Sequence, residues 1–372
     1  LSLDEAIQKR DFLNQELLEV QDKAALVFFE VSPESVAKVV SDWTGIPLGN
    51  VLKDESKNLL VLEETLNKRI KGQGHAIHQI AQHLKLAKTG LKTPNQPMGV
   101  FLLVGPSGVG KTETALTIAD TLFGGESSVV TINMSEFQER HSISRLIGSP
   151  PGYVGYGEGG VLTEAVRQRP YSVVLLDEVE KASLDVLNLF YQVFDKGSLT
   201  DGEGKEIDFS NTVIFLTSNL ATQEITNLTT SNPDISGEEV AAEIKPILNQ
   251  WFKPALLART TVAPYYILPE SALSEIVALK LAKFSQQLWG QNKVKLTYSE
   301  DVYQNVASRC KEVETGARNV DMILKLNVMP KLSEILLTSF CEERKIAEIN
   351  ICVEPLNQEF DYQVTEMEKE EG

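Results

Sequence analysis

Apolar residues fall along this chain in two kinds of run. Short unbroken stretches near positions 100, 130, 173 and 213 read as strands buried on both faces, since continuous apolarity leaves no side for water. Between them lie segments with apolar residues at helical spacing, such as Ala115, Leu116, Ala119, Leu122 and Phe123. The alternation over residues 51–263 predicts an α/β fold, a parallel sheet covered by helices on both sides in an αβα arrangement. From Pro264 the pattern turns mostly helical and then strand-like at 347–353 and 360–364, which predicts a smaller α+β domain over 264–372 ending in an acidic tail. Residues 1–50 look helical and close on the turn-rich Gly45-Ile46-Pro47-Leu48-Gly49, suiting a linker from a preceding domain. Residues 227–239, rich in Thr, Ser, Asn, Asp and Pro, read as an exposed loop.

The first strand-like run, Val100 to Val104, leads straight into Gly105-Pro106-Ser107-Gly108-Val109-Gly110-Lys111-Thr112. This fits the phosphate-binding pattern G-x-x-x-x-G-K-[ST] in the strand-loop-helix setting that it requires. Glycines let the backbone wrap an anion so that the N–H groups of Ser107, Gly108, Val109 and Gly110 and of the helix's first turn point at it. Lys111 then reaches the outer phosphates of a nucleoside triphosphate, and Thr112 can ligate magnesium.

The run Ser172 to Leu176 ends in Asp177-Glu178, where a triphosphate site needs carboxylates. Asp177 can hold the magnesium through its water shell, and Glu178 can accept the proton of an attacking water. The bland alternative is a strand that ends in an acidic turn; the loop upstream weighs against it. A third run, Thr212 to Thr217, places Asn219 at a comparable tip, where its amide could orient the water or cap the following turn, the two roles being compatible.

Composition sets outer bounds. The 372 residues suit about two domains. No apolar stretch approaches the ~18 residues of a membrane span, and no cleavable signal is visible. The chain starts at Leu1, which suggests a piece of a longer polypeptide. Cys310, Cys341 and Cys352 lack metal spacing and are too few for a disulfide framework, so a reducing, cytoplasmic setting fits best. A formal charge of −17, from 35 basic and 52 acidic residues, opposes attraction to nucleic acid or anionic lipid, although a ring could carry a locally basic channel. His75, His78 and His83 share one predicted helix without a suitably spaced carboxylate or cysteine, so solvated or capping roles outweigh a metal site.

Residues 148–160, Gly-Ser-Pro-Pro-Gly-Tyr-Val-Gly-Tyr-Gly-Glu-Gly-Gly, cannot form regular structure, yet carry Tyr153 and Tyr156. Such a loop either tucks its aromatics under itself or uses them to grip something. With Arg69-Ile70-Lys71-Gly72-Gln73, Met134-Ser135-Glu136-Phe137, Leu176-Asp177-Glu178-Val179-Glu180-Lys181 and Gly316-Ala317-Arg318, the chain resembles the second AAA+ module of a Clp-type unfoldase.

That resemblance implies a P-loop AAA+ αβα domain with a small lid domain, ATP and Mg2+ as cofactors, and a homo-hexameric ring that threads protein. It implies substrate gripping in the axial channel for Tyr153 with Val154, an arginine finger toward the neighbouring subunit's ATP for Arg259, and a second sensor role for Arg318. Ile70 and Lys71 would lie beside the adenine. Taken alone, each arginine reads as a surface residue.

Within the family, Asp42-Trp43-Thr44-Gly45-Ile46-Pro47, Gln192-Val193-Phe194-Asp195-Lys196-Gly197 and Pro264-Tyr265-Tyr266 resemble the ClpV branch of type VI secretion, whose implied task is pulling on contracted sheath protein of the VipA/VipB type. Arg259-Thr260-Thr261 departs from the Arg-Ile-Asp of general disaggregases, which supports that branch while loosening the alignment of the finger. The ClpB disaggregase is the nearest rival. Residues 220–258 contain no Ile-Gly-Leu-like docking loop, so binding to a ClpP-type peptidase is not expected. A different class, a nucleotide-gated switch that closes on a partner without threading it, would need no tyrosine grip.

Overall fold

The computed structural model describes residues 9–10, 12–13, 16–17, 31, 33–44, 51–90, 93–153, 155–310, 316–342, 344–354 and 358–366. Of the expected linker it describes chiefly a helix, Pro33–Thr44; the turn at Gly45–Gly49 lies outside the described residues. The strands in chain order are β1 (Gly99–Val104), β2 (Val129–Asn133), β3 (Val173–Asp177), β4 (Ser198–Thr200), β5 (Glu206–Asp208), β6 (Val213–Ser218), β7 (Thr261–Pro264), β8 (Lys295–Tyr298), β9 (Ile346–Val353) and β10 (Phe360–Glu366).

Five of them form one parallel sheet ordered β2-β3-β6-β1-β7. The inner strands β1, β3 and β6 are almost wholly apolar because both of their faces are covered, whereas the edge strand β2 exposes Thr131 and Asn133. Phe101, Leu103, Leu175 and Phe215 pack with Leu62, Ile77, Ile80 and Ile118 from the helices Val51–Arg69, Gly74–Lys88 and Lys111–Phe123. Leu102, Val174, Leu176 and Ile214 point the other way, onto Val186 and Phe190 of the helix Leu184–Lys196 and onto Ile244 and Leu248 of the helix Gly237–Trp251. Each such side chain removed from water is worth about 1.5–3 kcal/mol, so this double-sided sheet supplies most of the core. The fold is an αβα P-loop sheet with a smaller helical lid.

The four anticipated strands are present. The edge strand β7 was not foreseen: four residues ending in Pro264 give too short a pattern, and its partner β1 lies about 160 residues away.

Residues 227–239 correct an expectation. The helices Thr222–Ser231 and Gly237–Trp251 leave only a short connection between them. The polar residues serve the helices: Thr226 and Thr229 hydroxyls donate back to the carbonyls of Thr222 and Ile225, and Ser236 with Glu239 forms a reciprocal capping box.

Beyond β7, the helices Glu270–Asn292 and Glu300–Arg309 pack on a three-stranded sheet in which β9 pairs parallel with β8 and antiparallel with β10. Among the described residues no helix is long and apolar enough to cross a membrane.

In the large sheet, β6 lies between β3 and β1 with Val104 beside Ser218 and Leu176 beside Leu216. Parallel pairing puts the carboxyl ends of all three strands at one edge, where open α/β sheets bind ligands.

Candidate active site

At that edge a cleft of about 860 Å³ opens between the sheet and the lid. Its floor is the loop from Ser107 to Thr112, its wall Asp177, Glu178, Thr217 and Asn219, and its roof the lid residues Arg318, Asp321, Lys280 and Lys283. Gly105 opens the loop at φ +144° against the Tyr265 backbone, so close that a Cβ would overlap the Tyr265 carbonyl. Only glycine fits there, and the chain can then turn beneath the cleft.

Lys111 is buried, its ammonium ringed by carbonyls. It lies 2.8 Å from Asn219 Oδ1, 2.9 Å from the Ser218 carbonyl, 2.5 Å from that of Gly105 and 3.1 Å from that of Pro106. Burial pushes its pKa down to about 8, while the carboxylates of Glu180, Asp177 and Glu178 pull upward and Arg318 pushes further down. A cation this desolvated gains strongly from an added anion, which is what a phosphate would supply.

Asp177 Oδ1 accepts a hydrogen bond from the Thr217 hydroxyl, and the Glu178 N–H donates to the same hydroxyl at 3.1 Å. Thr217 therefore ties the Asp177 carboxylate and the Glu178 backbone to β6. Glu178 sits at φ +57°, left-handed backbone that a non-glycine residue adopts at a cost of order 1–3 kcal/mol and that concentrates at functional sites. The Asn219 N–H donates to Glu180 Oε1 at 3.3 Å.

The lid reaches the loop directly. Arg318 Nη1 donates to Ser107 Oγ at 2.7 Å and the Ala317 N–H to the Gly108 carbonyl at 2.9 Å. Ile70 is buried beside Gly110, and Lys71 pairs at 2.9 Å with Glu275 on the lid helix Glu270–Asn292. Next to them Arg69 spans Glu113, Asp120 and Glu126 at 2.7–3.2 Å, fastening this segment to the helix after the loop.

Thr112 and Asp177 both line the cleft, and among the described residues no cluster of three or more His, Cys, Asp or Glu could cage a metal. One hydroxyl and one or two carboxylates, completed by water and phosphate oxygens, is the donor set magnesium prefers. The residues present therefore fit Mg2+ bound together with a nucleotide.

Arg259 stands outside the cleft. Its Nε donates to Asp195 Oδ1 at 3.0 Å and its Nη1 to the Ala255 carbonyl at 2.9 Å. Tyr153 is 71% exposed and Tyr156 53%, so neither ring is tucked under the loop; Val154 lies outside the described residues.

Of the histidines, His78 pairs with Glu63, but His75 is half-buried and stacked on Tyr266 at 3.8 Å, and His83 meets the edge of Phe101. The expected solvated role holds for the exposed His78 and His83, and gives way to packing only for His75. Thr217, Glu180 and Arg69 were not foreseen as site residues. Thr217 and Glu180 each lie two positions from a chosen residue, and a search that far around Asn219 and Glu178 for hydroxyls and carboxylates would have found them.

The family model described as AAA domain (Cdc48 subfamily) matches residues 96–263, and that of the C-terminal, D2-small domain of ClpB protein matches residues 268–349. The chain is 49% identical over 327 residues to the chaperone protein ClpB of Yersinia enterocolitica, covering 87% of this chain and 37% of that protein. It is 47% identical over 341 residues to the AAA+ ATPase ClpV1 of Pseudomonas aeruginosa, covering 91% and 38% respectively. With the ClpB of Brucella suis it shares 40% over 338 residues, 91% of this chain and 38% of that one. The chain spans a little over a third of the length of these relatives. It belongs to the Clp-type AAA+ family, and the part of the family that it matches is the second ATPase module.

Proposed function

We propose that this chain is the ATP-hydrolysing motor of a homo-hexameric ring that unfolds protein by threading it through the central channel. The observation that carries the reading is the convergence of Lys111, Asp177, Glu178 and Asn219 at one sheet edge, under a lid whose Arg318 bonds the phosphate loop. The backbone of Ser107, Gly108, Val109 and Gly110 with Lys111 would hold the phosphates of ATP, and Ile70 and Lys71 would flank the base. Thr112 and Asp177 would hold Mg2+, which when bound neutralises phosphate charge. Glu178 takes the proton of the attacking water, which Asn219 orients.

Arg318 and, from the neighbouring subunit, Arg259 meet the charge that spreads over the transferred group, a contribution of ~10³ to 10⁵ in rate for such arginines. That Arg259 lies away from its own cleft accords with a role in trans. Tyr153 and Val154 grip the substrate.

For the substrate we infer contracted type VI secretion sheath of the VipA/VipB type, in a cytoplasmic setting and without a ClpP-type peptidase or nucleic acid as partner. The near-equal identity to a ClpB and to ClpV1 keeps a second reading in play, a general disaggregase. Incubating the intact protein and ATP with purified contracted sheath tubules, and separately with heat-aggregated protein, separates them, with Glu178→Gln as control. Loss of pelletable sheath alone supports the first reading; loss of aggregates with sheath untouched replaces it by the second.

A further inference from the structure

The tyrosine loop does not stand alone. Its two feet, Gly148 and Gly160, are pressed together: a Cβ on Gly160 would overlap the Leu146 carbonyl and sit within 2.5 Å of Gly148 N. Against that junction lies the tip of the β4–β5 hairpin. The Gly202 N–H donates to the Ile147 carbonyl at 2.8 Å, and a Cβ on Gly202 would overlap the Gly148 carbonyl and come within 2.9 Å of Ser149 C. Gly202 lies outside the left-handed region, so what demands glycine here is space.

The hairpin that delivers Gly202 is stiff. Asp201 Oδ1 accepts from the N–H groups of Glu203 and Lys205 at 2.9 and 2.8 Å, and the Asp201 N–H donates to the Lys205 carbonyl at 2.8 Å. At its root the Phe209 N–H donates to the Gly197 carbonyl at 2.7 Å, and Gly197 is itself packed onto the Asn95 backbone. From this footing the loop rises through the consecutive turns Pro150-to-Tyr153, Tyr153-to-Tyr156 and Gly155-to-Glu158, with both tyrosine rings in solvent.

We propose that the β4–β5 hairpin is a strut for the tyrosine loop, and that Gly202 is the positioning residue which sets how Tyr153 is presented. The inference rests on the gripping role proposed for Tyr153. Backbone packed on backbone has no side-chain rotamer through which to relax, so motion of the hairpin passes to the loop's feet and an added methyl at Gly202 must displace them.

The test uses the intact protein, a stably folded fluorescent domain bearing an unstructured tail as substrate, and Gly202→Ala, Tyr153→Ala and the double variant. Gly202→Ala should keep basal ATP turnover and a cooperative fold, yet unfold the substrate roughly tenfold more slowly, about 1.4 kcal/mol in the barrier. Because Gly202 acts through Tyr153, adding Gly202→Ala to Tyr153→Ala should change nothing further. Multiplying effects in the double variant, or unimpaired unfolding by Gly202→Ala, would overturn the strut while leaving the grip intact. Unimpaired unfolding by Tyr153→Ala would remove the grip and the strut with it. Should Gly202→Ala fail to fold, Asp201→Ala, which removes two hydrogen bonds from the half-exposed hairpin tip, carries the same test with the same expected non-additivity.

Discussion

Arg318 of the lid donates from Nη1 to the hydroxyl of Ser107 in the phosphate loop at 2.7 Å, a side-chain bond beside the backbone one from Ala317 to Gly108. The bond holds the arginine where phosphate charge would collect. Arg318→Ala should weaken nucleotide binding by about tenfold, the loss of one exposed charge-assisted bond, and lower turnover further. Titration of a fluorescent nucleotide analogue against the variant measures the first, and steady-state phosphate release the second.

Lys111 and Glu178 should separate binding from chemistry. Lys111→Ala removes the buried cation and should cost about two orders of magnitude in nucleotide affinity. Glu178→Gln keeps that cation, so it should bind nucleotide as tightly as the natural chain while turnover falls ~10²- to 10⁴-fold. Tight binding by Lys111→Ala would show that the phosphate sits elsewhere.

Gln73 is fully buried and pairs both ways with the Tyr266 backbone, donating from Nε2 to its carbonyl at 2.8 Å and accepting its N–H at 2.9 Å. The amide thereby mimics a strand and ties the segment before the helix Gly74–Lys88 to the connection that enters the lid. Gln73→Ala orphans two backbone groups and should cost about 2–4 kcal/mol in chemical denaturation. A loss under 1 kcal/mol would mean that water replaces the amide.

Burial holds the His75 pKa below its ordinary 6.5, only partly offset by its contact at 2.6 Å with the Pro264 carbonyl, and the ring stacks on Tyr266. The depressed group is a base, so below pH 6.5 the unfolded chain takes up the proton more readily than the folded one. Its contribution is therefore complete above pH 6.5 and lost as pH falls through the folded value. Urea midpoints between pH 7.5 and 5 should drop, and His75→Phe should flatten part of that slope, leaving the share of His83, whose pKa burial also lowers.

How much of this was legible in the sequence divides by range. The phosphate loop, Asp177, Glu178 and Asn219 were readable because each occupies the end of an apolar run, and strand tips of a parallel sheet share one edge. Thr217 was hidden because its task, bridging Asp177 to the Glu178 N–H, exists only once β3 and β6 lie side by side. The Gln73–Tyr266 pairing and the seat of Gly202 on Gly148 join residues 193 and 54 positions apart, contacts that no local pattern encodes. The loop expected over 227–239 failed for the opposite reason: Thr and Ser were read as loop formers where Thr229 back-bonds one helix and Ser236 caps the next.

Arg259, held by Asp195 away from its own cleft, should act on a neighbour. Arg259→Ala should keep nucleotide affinity and lose turnover, and in mixed rings it should silence a natural subunit beside it. Turnover that falls only in proportion to the variant fraction would remove the role in trans.

The most direct test of the motor follows ATP turnover and substrate unfolding together in Tyr153→Ala of the intact protein. Sustained turnover with loss of unfolding is the predicted result, because the hydrolytic cleft and the exposed ring are separate. Unimpaired unfolding, or hydrolysis limited to one slow event per binding, would contradict the threading account and leave a nucleotide-gated switch in its place.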